Sequence, residues 1–397
     1  MRVITLETTT TSLQPWKDSE MSENIPFLDL GATYRELQPE LDEAYARVMA
    51  SGWYLLGDEL EAFEDEYASY TEARFCVGVA SGLDALILAL RSVGVEPGHE
   101  VIVPSNTYIA TWLAVSALGA TPVPVEPDPV THNIDPDLIS AAISERTRAI
   151  LPVHLYGRPA PMGRILDIAR SSGLMVVADG AQAHGARYGG RGLGALGDAV
   201  AWSFYPGKNL GAFADAGGVT TDNADIADQL RVLRNYGSRK KYHNESRGVN
   251  SRMDELQASF LRVKLAHLDD WNGRRRLVAQ RYLGGLSDLS SVQPPCSNAE
   301  EVGAWHLFVI RCRSRDLLQA ELGRLGVQSL IHYPIPPNLQ IAYRDEHFAP
   351  QPVAEQLAKE VLSLPMGPHL SAGQVDGVLA AISEIDSSGI LPAFDLI

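Results

Sequence analysis

Lys208 stands in the segment Ser203-Phe204-Tyr205-Pro206-Gly207-Lys208-Asn209-Leu210-Gly211, a lysine on a glycine-flanked turn. About thirty residues earlier, the apolar run Leu174-Met175-Val176-Val177-Ala178 ends in Asp179, followed by Gly180-Ala181-Gln182. A buried strand ending in a carboxylate, then a lysine on a turn, is the pair that pyridoxal phosphate (PLP) chemistry requires. The amine forms a Schiff base with the cofactor, and the carboxylate keeps the pyridine nitrogen protonated so that the ring can accept electrons. A lone lysine is an ordinary surface residue; Asp179 and the segments below give this one its chemical meaning.

These residues need elements to position them. Glu59 to Tyr70 is helical in pattern. Phe75–Ala80 reads as a strand, and Ser81-Gly82 opens a helix running through Leu90. Val101–Pro104, Ala149–Val153 and Val200–Phe204 read as strands and Thr121–Val125 as extended, with helices over Thr111–Leu118 and Met162–Ser171. Short apolar runs alternating with helical stretches predict an α/β fold with a mostly parallel, doubly wound sheet. Ligands of such sheets bind beyond the carboxyl ends of the strands, where Asp179 and Ser203 fall. The helix start at Ser81-Gly82-Leu83 offers free backbone amides that suit a phosphate.

The chain resembles the PLP-dependent sugar aminotransferases of the DegT/DnrJ/EryC1/StrS family, from about Ile25 to Leu370. The segments that carry the resemblance are Ser51–Gly57, Pro104–Thr111, Asp179–Ala186, Ser203–Gly211 and Asn250–Ala258. It implies an aspartate-aminotransferase-like (fold type I) architecture. It also implies that Lys208 is the Schiff-base lysine and proton shuttle, and that Asp179 pairs with the pyridinium. Gly82 and Leu83 would give amides to the cofactor phosphate and Ser203 its hydroxyl. Tyr108 would stack on the ring, and Gln182 would lie against the ring or its phenolic oxygen. Asn250 would reach the phosphate from a neighbouring subunit, which implies a homodimer with a shared active site.

The pattern departs from the family in two places. Ala178 precedes Asp179 where many relatives carry glutamate, but that carboxylate is not the ring partner. Leu83 replaces a common threonine, which matters only if a hydroxyl makes the phosphate contact. Relatives with histidine in place of the lysine are dehydratases; Lys208 favours transamination. The bland readings are core packing for Tyr108, turn polarity for Gln182 and Ser203, helix capping for Asn250, and a satisfied structural imidazole for His184.

The expected domains are a disordered leader over 1–24, a large PLP-binding domain over 25–270 and a smaller C-terminal α+β domain over 271–397. The formal charge of −16 argues against nucleic acid or an anionic membrane as partner. Between Arg231 and Arg252, however, stand seven Lys/Arg and one acid. We read this run, with Arg239, Lys240 and Lys241, as an anion-binding loop for a nucleotide diphosphate. His332 and Tyr333 are candidate substrate-side residues. Three cysteines without paired spacing argue against disulfides or a metal site and fit a reducing cytoplasm.

Ser81–Leu86, Ser105–Trp112 and Ile331–Pro337 look most like the branch that aminates C3 of dTDP-3-keto-6-deoxyhexoses with L-glutamate as donor, for secondary-metabolite (antibiotic) sugars. The alternative within the family is C4 amination of a dTDP-4-keto sugar. Outside it stand a PLP desulfurase or lyase, which would need Cys296 as a reactive thiol, and a non-catalytic regulator.

Overall fold

The computed structural model describes residues 24–296 and 301–394. The expected leader, apart from Asn24, lies outside these. Helix α1 (Leu30–Ser51) starts at Asp29, whose carboxylate accepts from the amides of Gly31 and Ala32. Helix α2 (Asp58–Thr71) has three acids in its first turn, where the helix dipole favours them.

A seven-stranded sheet follows. Its strands are β1 (Phe75–Val79), β2 (Glu100–Pro104), β3 (Thr121–Val125), β4 (Thr147–Ile150) and β5 (Met175–Asp179), then, beyond a short hairpin of β6 (Arg187–Tyr188) and β7 (Arg191–Gly192), β8 (Ala199–Ser203) and β9 (Gly217–Thr221). The order is β1-β9-β8-β5-β4-β2-β3. From β8 to β3 every pairing is parallel, while β9 runs antiparallel to both of its neighbours. The sequence reading did not place β9, whose opening glycines weaken a strand pattern. The first of them is needed there: a β-carbon on Gly217 would lie 2.2 Å from the Ser81 carbonyl oxygen.

Helices α3 (Gly82–Ser92), α4 (Ile109–Ser116), α5 (Pro136–Ile139), α6 (Met162–Ser172) and α7 (Ala224–Leu233) connect and cover the strands. Successive residues of a strand face opposite sides. In β5, Val176 and Ala178 join a core with Phe63, Trp202 and Phe204, whereas Val177 joins the other core with Leu86, Leu90 and Trp112. Both faces are therefore buried, as a parallel sheet demands.

After the hairpin of β10 (Ser238–Lys240) and β11 (His243–Asn244), helices α8 (Glu255–Leu265) and α9 (Leu268–Leu286) lead out of the sheet region. Helix α9 starts in the first core with Leu268 and ends in a third core with Val278, Tyr282 and Leu286. The expected boundary at 270 thus falls inside one continuous helix. Strand β12 (Glu301–Val302) pairs with β6, and β13 (Phe308–Arg311) pairs antiparallel with β14 (Val361–Leu364). Helices α10 (Arg315–Arg324), α11 (Pro352–Glu360) and α12 (Ala372–Ser387) complete this part. Ile25 belongs to the third core and bridges Val327, so the start of the described chain packs with the C-terminal elements. Among the described residues no helix is long and apolar enough to cross a membrane.

Candidate active site

The carboxyl ends of β5 and β8 open into a cavity of about 1260 Å³. It is lined by Gly82, Leu83, Tyr108, Asp179, Gln182, Ser203, Lys208, His332 and Tyr333, nine of the residues singled out from sequence.

Asp179 ends β5, with its backbone fixed by bonds from its amide to the Pro152 carbonyl (2.8 Å) and from the His154 amide to its own carbonyl (3.0 Å). Its side chain accepts from the Thr111 hydroxyl (3.0 Å) and from the Ala181 amide (3.1 Å). Burial raises its pKa; the Ala181 amide, the Lys208 charge and Thr111 oppose that rise. Thr111 was missed from sequence as a site residue, because a hydroxyl in the first turn of α4 carries no local signal of its partner.

Lys208 follows β8 on a turn closed by its own amide to the Tyr205 carbonyl (2.8 Å) and the Ala212 amide to the Phe204 carbonyl (2.7 Å). Gly211 is required there, since a β-carbon would meet the Pro206 carbonyl oxygen at 2.5 Å. The buried amine of Lys264 donates to the Gly211 carbonyl (2.6 Å) and holds the turn from α8. Burial lowers the Lys208 pKa to about 8 against the pull of Asp179.

Ser203 is anchored from behind. His184 is fully buried; its Nε2 donates to the Ser203 carbonyl (2.9 Å) and its Nδ1 accepts from the Tyr67 hydroxyl (2.7 Å). The carbonyl can only accept, which fixes this tautomer. In front, Ser81 caps α3 by accepting from the Asp84 amide (3.1 Å), so the amides of Gly82 and Leu83 stay available. A β-carbon on Gly82 would lie 2.5 Å from the Ser203 β-carbon. A glycine cradle, free amides at a helix start and an adjacent hydroxyl fit a phosphate. With Asp179 across the cavity and Lys208 beside it, these residues fit PLP.

Gln182 accepts from the Tyr156 amide (2.5 Å) and donates to the Tyr333 hydroxyl (2.9 Å). The Tyr108 ring, 55% exposed, lies 5.3 Å from that of Tyr333. His332 pairs through Nδ1 with the Ser363 hydroxyl (2.8 Å). His306, also missed from sequence, lines the cavity and pairs through Nδ1 with the side-chain oxygen of Asn209, the neighbour of Lys208 (3.1 Å).

Four expected residues are not brought to this cavity within one chain. Asn250 is exposed beside Ser251, which is tied to Asp84 (2.8 Å). Arg239 forms ion pairs with Asp228 and Glu245, and Lys240 and Lys241 are exposed on the β10–β11 hairpin. Cys296, the thiol a lyase would need, lines a separate pocket of about 370 Å³ and receives Arg158 Nη1 at 2.7 Å.

Fold and site together define a PLP-dependent aminotransferase. Residues 35–383 match the DegT/DnrJ/EryC1/StrS aminotransferase family, and the chain belongs to it. It is similar to the dTDP-3-amino-3,4,6-trideoxy-alpha-D-glucose transaminase of Streptomyces venezuelae, 55% identical over 364 residues that cover 91% of this chain and 96% of that one. It is similar to the erythromycin biosynthesis sensory transduction protein EryC1 of Saccharopolyspora erythraea, 56% identical over 90% of this chain and 99% of that one. The crystal structure of S. venezuelae DesV superposes with a TM-score of 0.90 at 54% identity, covering 92% of this chain and 99% of that one.

Proposed function

We propose that the enzyme moves the amino group of L-glutamate to C3 of a dTDP-linked 3-keto-6-deoxyhexose, making a dTDP-3-amino sugar for antibiotic glycosylation. The observation that carries this reading is the cavity joining Lys208, Asp179 and the Gly82–Ser203 cradle, in a chain more than half identical to a dTDP-3-amino sugar transaminase. The erythromycin biosynthesis protein EryC1 supports the secondary-metabolite setting.

When bound, PLP supplies an electron sink for the carbon that exchanges its amine. Lys208 would hold it covalently and, once displaced by the donor, would carry a proton from the donor's carbon to the cofactor; in the second half-reaction it would run that transfer in reverse, from the cofactor to the sugar carbon. A pKa near 8 leaves a usable fraction of neutral amine at neutral pH, which general-base work needs. Asp179 would stay ionised against the pyridinium, with Thr111 fixing its second oxygen. Gly82 and Leu83 amides and the Ser203 hydroxyl would hold the phosphate, Tyr108 would cover the ring, and Gln182 would lie against the phenolic oxygen. His332 and Tyr333 would meet the sugar.

The active enzyme would be a homodimer. Among the described residues lining the cavity, Lys208 is the sole lysine or arginine, yet both substrates are anionic. Asn250 and the exposed Lys240 and Lys241 would serve a neighbouring copy, Asn250 at the cofactor phosphate and the lysines at the nucleotide diphosphate. Arg239 would brace the hairpin through Asp228 and Glu245. Exposed Leu30, Trp53, Tyr54, Tyr108, Tyr205 and Leu330 would be covered in that dimer. The three free cysteines suit a cytoplasmic enzyme.

The test is absorbance of the PLP-loaded protein. L-glutamate alone should bleach the visible band as 2-oxoglutarate accumulates, and added dTDP-3-keto-6-deoxyhexose should restore it with an amine at C3. No response to glutamate, or an amine at C4, would overturn the reading.

A further inference from the structure

Three hydrogen bonds close a ring through Tyr156. Its amide donates to Gln182 Oε1 (2.5 Å), Gln182 Nε2 donates to the Tyr333 hydroxyl (2.9 Å), and the Tyr156 hydroxyl donates to the carbonyl of His332 (2.5 Å), the residue bonded to Tyr333. The ring ties the loops after β4 and β5 to the C-terminal part of the chain. Tyr156 holds a left-handed backbone, φ 60°, which bulky residues avoid unless their surroundings impose it. The surroundings here are tight: a β-carbon on the next residue, Gly157, would meet the His306 amide nitrogen at 2.8 Å and the Gln182 carbonyl oxygen at 2.9 Å.

The ring also fixes where its hydrogens point. A backbone amide can only donate, so the Gln182 oxygen faces Tyr156 and its nitrogen faces Tyr333. That nitrogen can only donate, so the Tyr333 oxygen accepts. The His332 carbonyl can only accept, so the Tyr156 hydroxyl spends its hydrogen there. The phenol hydrogen of Tyr333 is not used in the ring, and no acceptor for it stands among the described residues. Tyr333 lines the cavity that holds Lys208. Burial raises the pKa of both phenols, so both keep their hydrogens at physiological pH.

We propose that Tyr156 is a positioning residue which, through Gln182 and His332, fixes the Tyr333 hydroxyl as a hydrogen-bond donor to an oxygen of the keto sugar. A donor held in place before the substrate arrives stabilises charge on that oxygen without reorganising during the reaction. This rests on the keto-sugar reading above.

The experiment follows the two half-reactions separately in the PLP-loaded enzyme: bleaching by L-glutamate, then recovery with the dTDP-keto sugar. It compares wild type, Tyr333→Phe, Tyr156→Phe and the double variant, with melting curves to check folding. Each single variant should slow the keto-sugar half-reaction at least about tenfold, and the double variant should be no slower than Tyr333→Phe alone. Losses that multiply, or a Tyr156→Phe enzyme at the wild-type rate, would overturn the proposal. If Tyr156→Phe does not fold, Gln182→Glu replaces it. A carboxylate cannot donate to Tyr333 and draws the phenol hydrogen to itself. The keto-sugar step should then match that of Tyr333→Phe, and an undiminished step overturns the proposal. A wild-type enzyme that bleaches with glutamate but aminates no keto sugar fails before any variant is read, and removes the substrate reading and the Tyr333 role together.

Discussion

Gly82 and Ser203 come from opposite sides of the cofactor cradle and touch: a side chain on residue 82 would lie 2.5 Å from the Ser203 β-carbon and 2.9 Å from its hydroxyl oxygen. Gly82 has no left-handed backbone to preserve, so its role is to leave space. Gly82→Ala should fold yet push Ser203 out of line. Overpacking of this kind costs about 1–3 kcal/mol, which at the cradle becomes roughly 5- to 150-fold in cofactor affinity. PLP retained after dialysis, read by absorbance, checks this.

Lys208→Ala should abolish turnover, read as 2-oxoglutarate release from L-glutamate. In the wild type the attacking species is the neutral amine. With the pKa lowered to about 8, the rate of PLP loading should climb with pH up to about 8 and level off above it. An ordinary exposed lysine would keep gaining reactivity well beyond that point.

Asp179→Asn should slow the glutamate half-reaction by about a hundredfold while the protein still folds, because the amide keeps the size but not the charge. Thr111→Val removes one donor from the carboxylate (3.0 Å) and should give a smaller loss, with the activity profile moved toward higher pH. The sign follows from the bond: Thr111 helps to hold the Asp179 pKa down, so losing it lets that pKa rise. Rates across pH separate the two variants.

Tyr67→Phe should destabilise the fold by about 1–3 kcal/mol, because His184 Nδ1 is left buried without a partner. Denaturant unfolding of the PLP-free protein measures it.

Sequence alone determined the alternation of strands and helices, the strand ends that carry Asp179 and Ser203, and the turn that carries Lys208. Each depends on local apolar periodicity and on turn residues close together in the chain. It also carried the motifs from which the family and cofactor were read. Tertiary structure decided which groups meet. Thr111 reaches Asp179 across 68 residues, and Tyr156 reaches His332 across 176. The same packing paired Arg239 with Asp228 and set Cys296 in a pocket apart from Lys208. The glycines that open β9 conceal a strand from a reading based on side-chain pattern, and only the close approach to Ser81 shows why Gly217 is there. Such pairings are chosen by the packing of distant elements, which local periodicity does not encode.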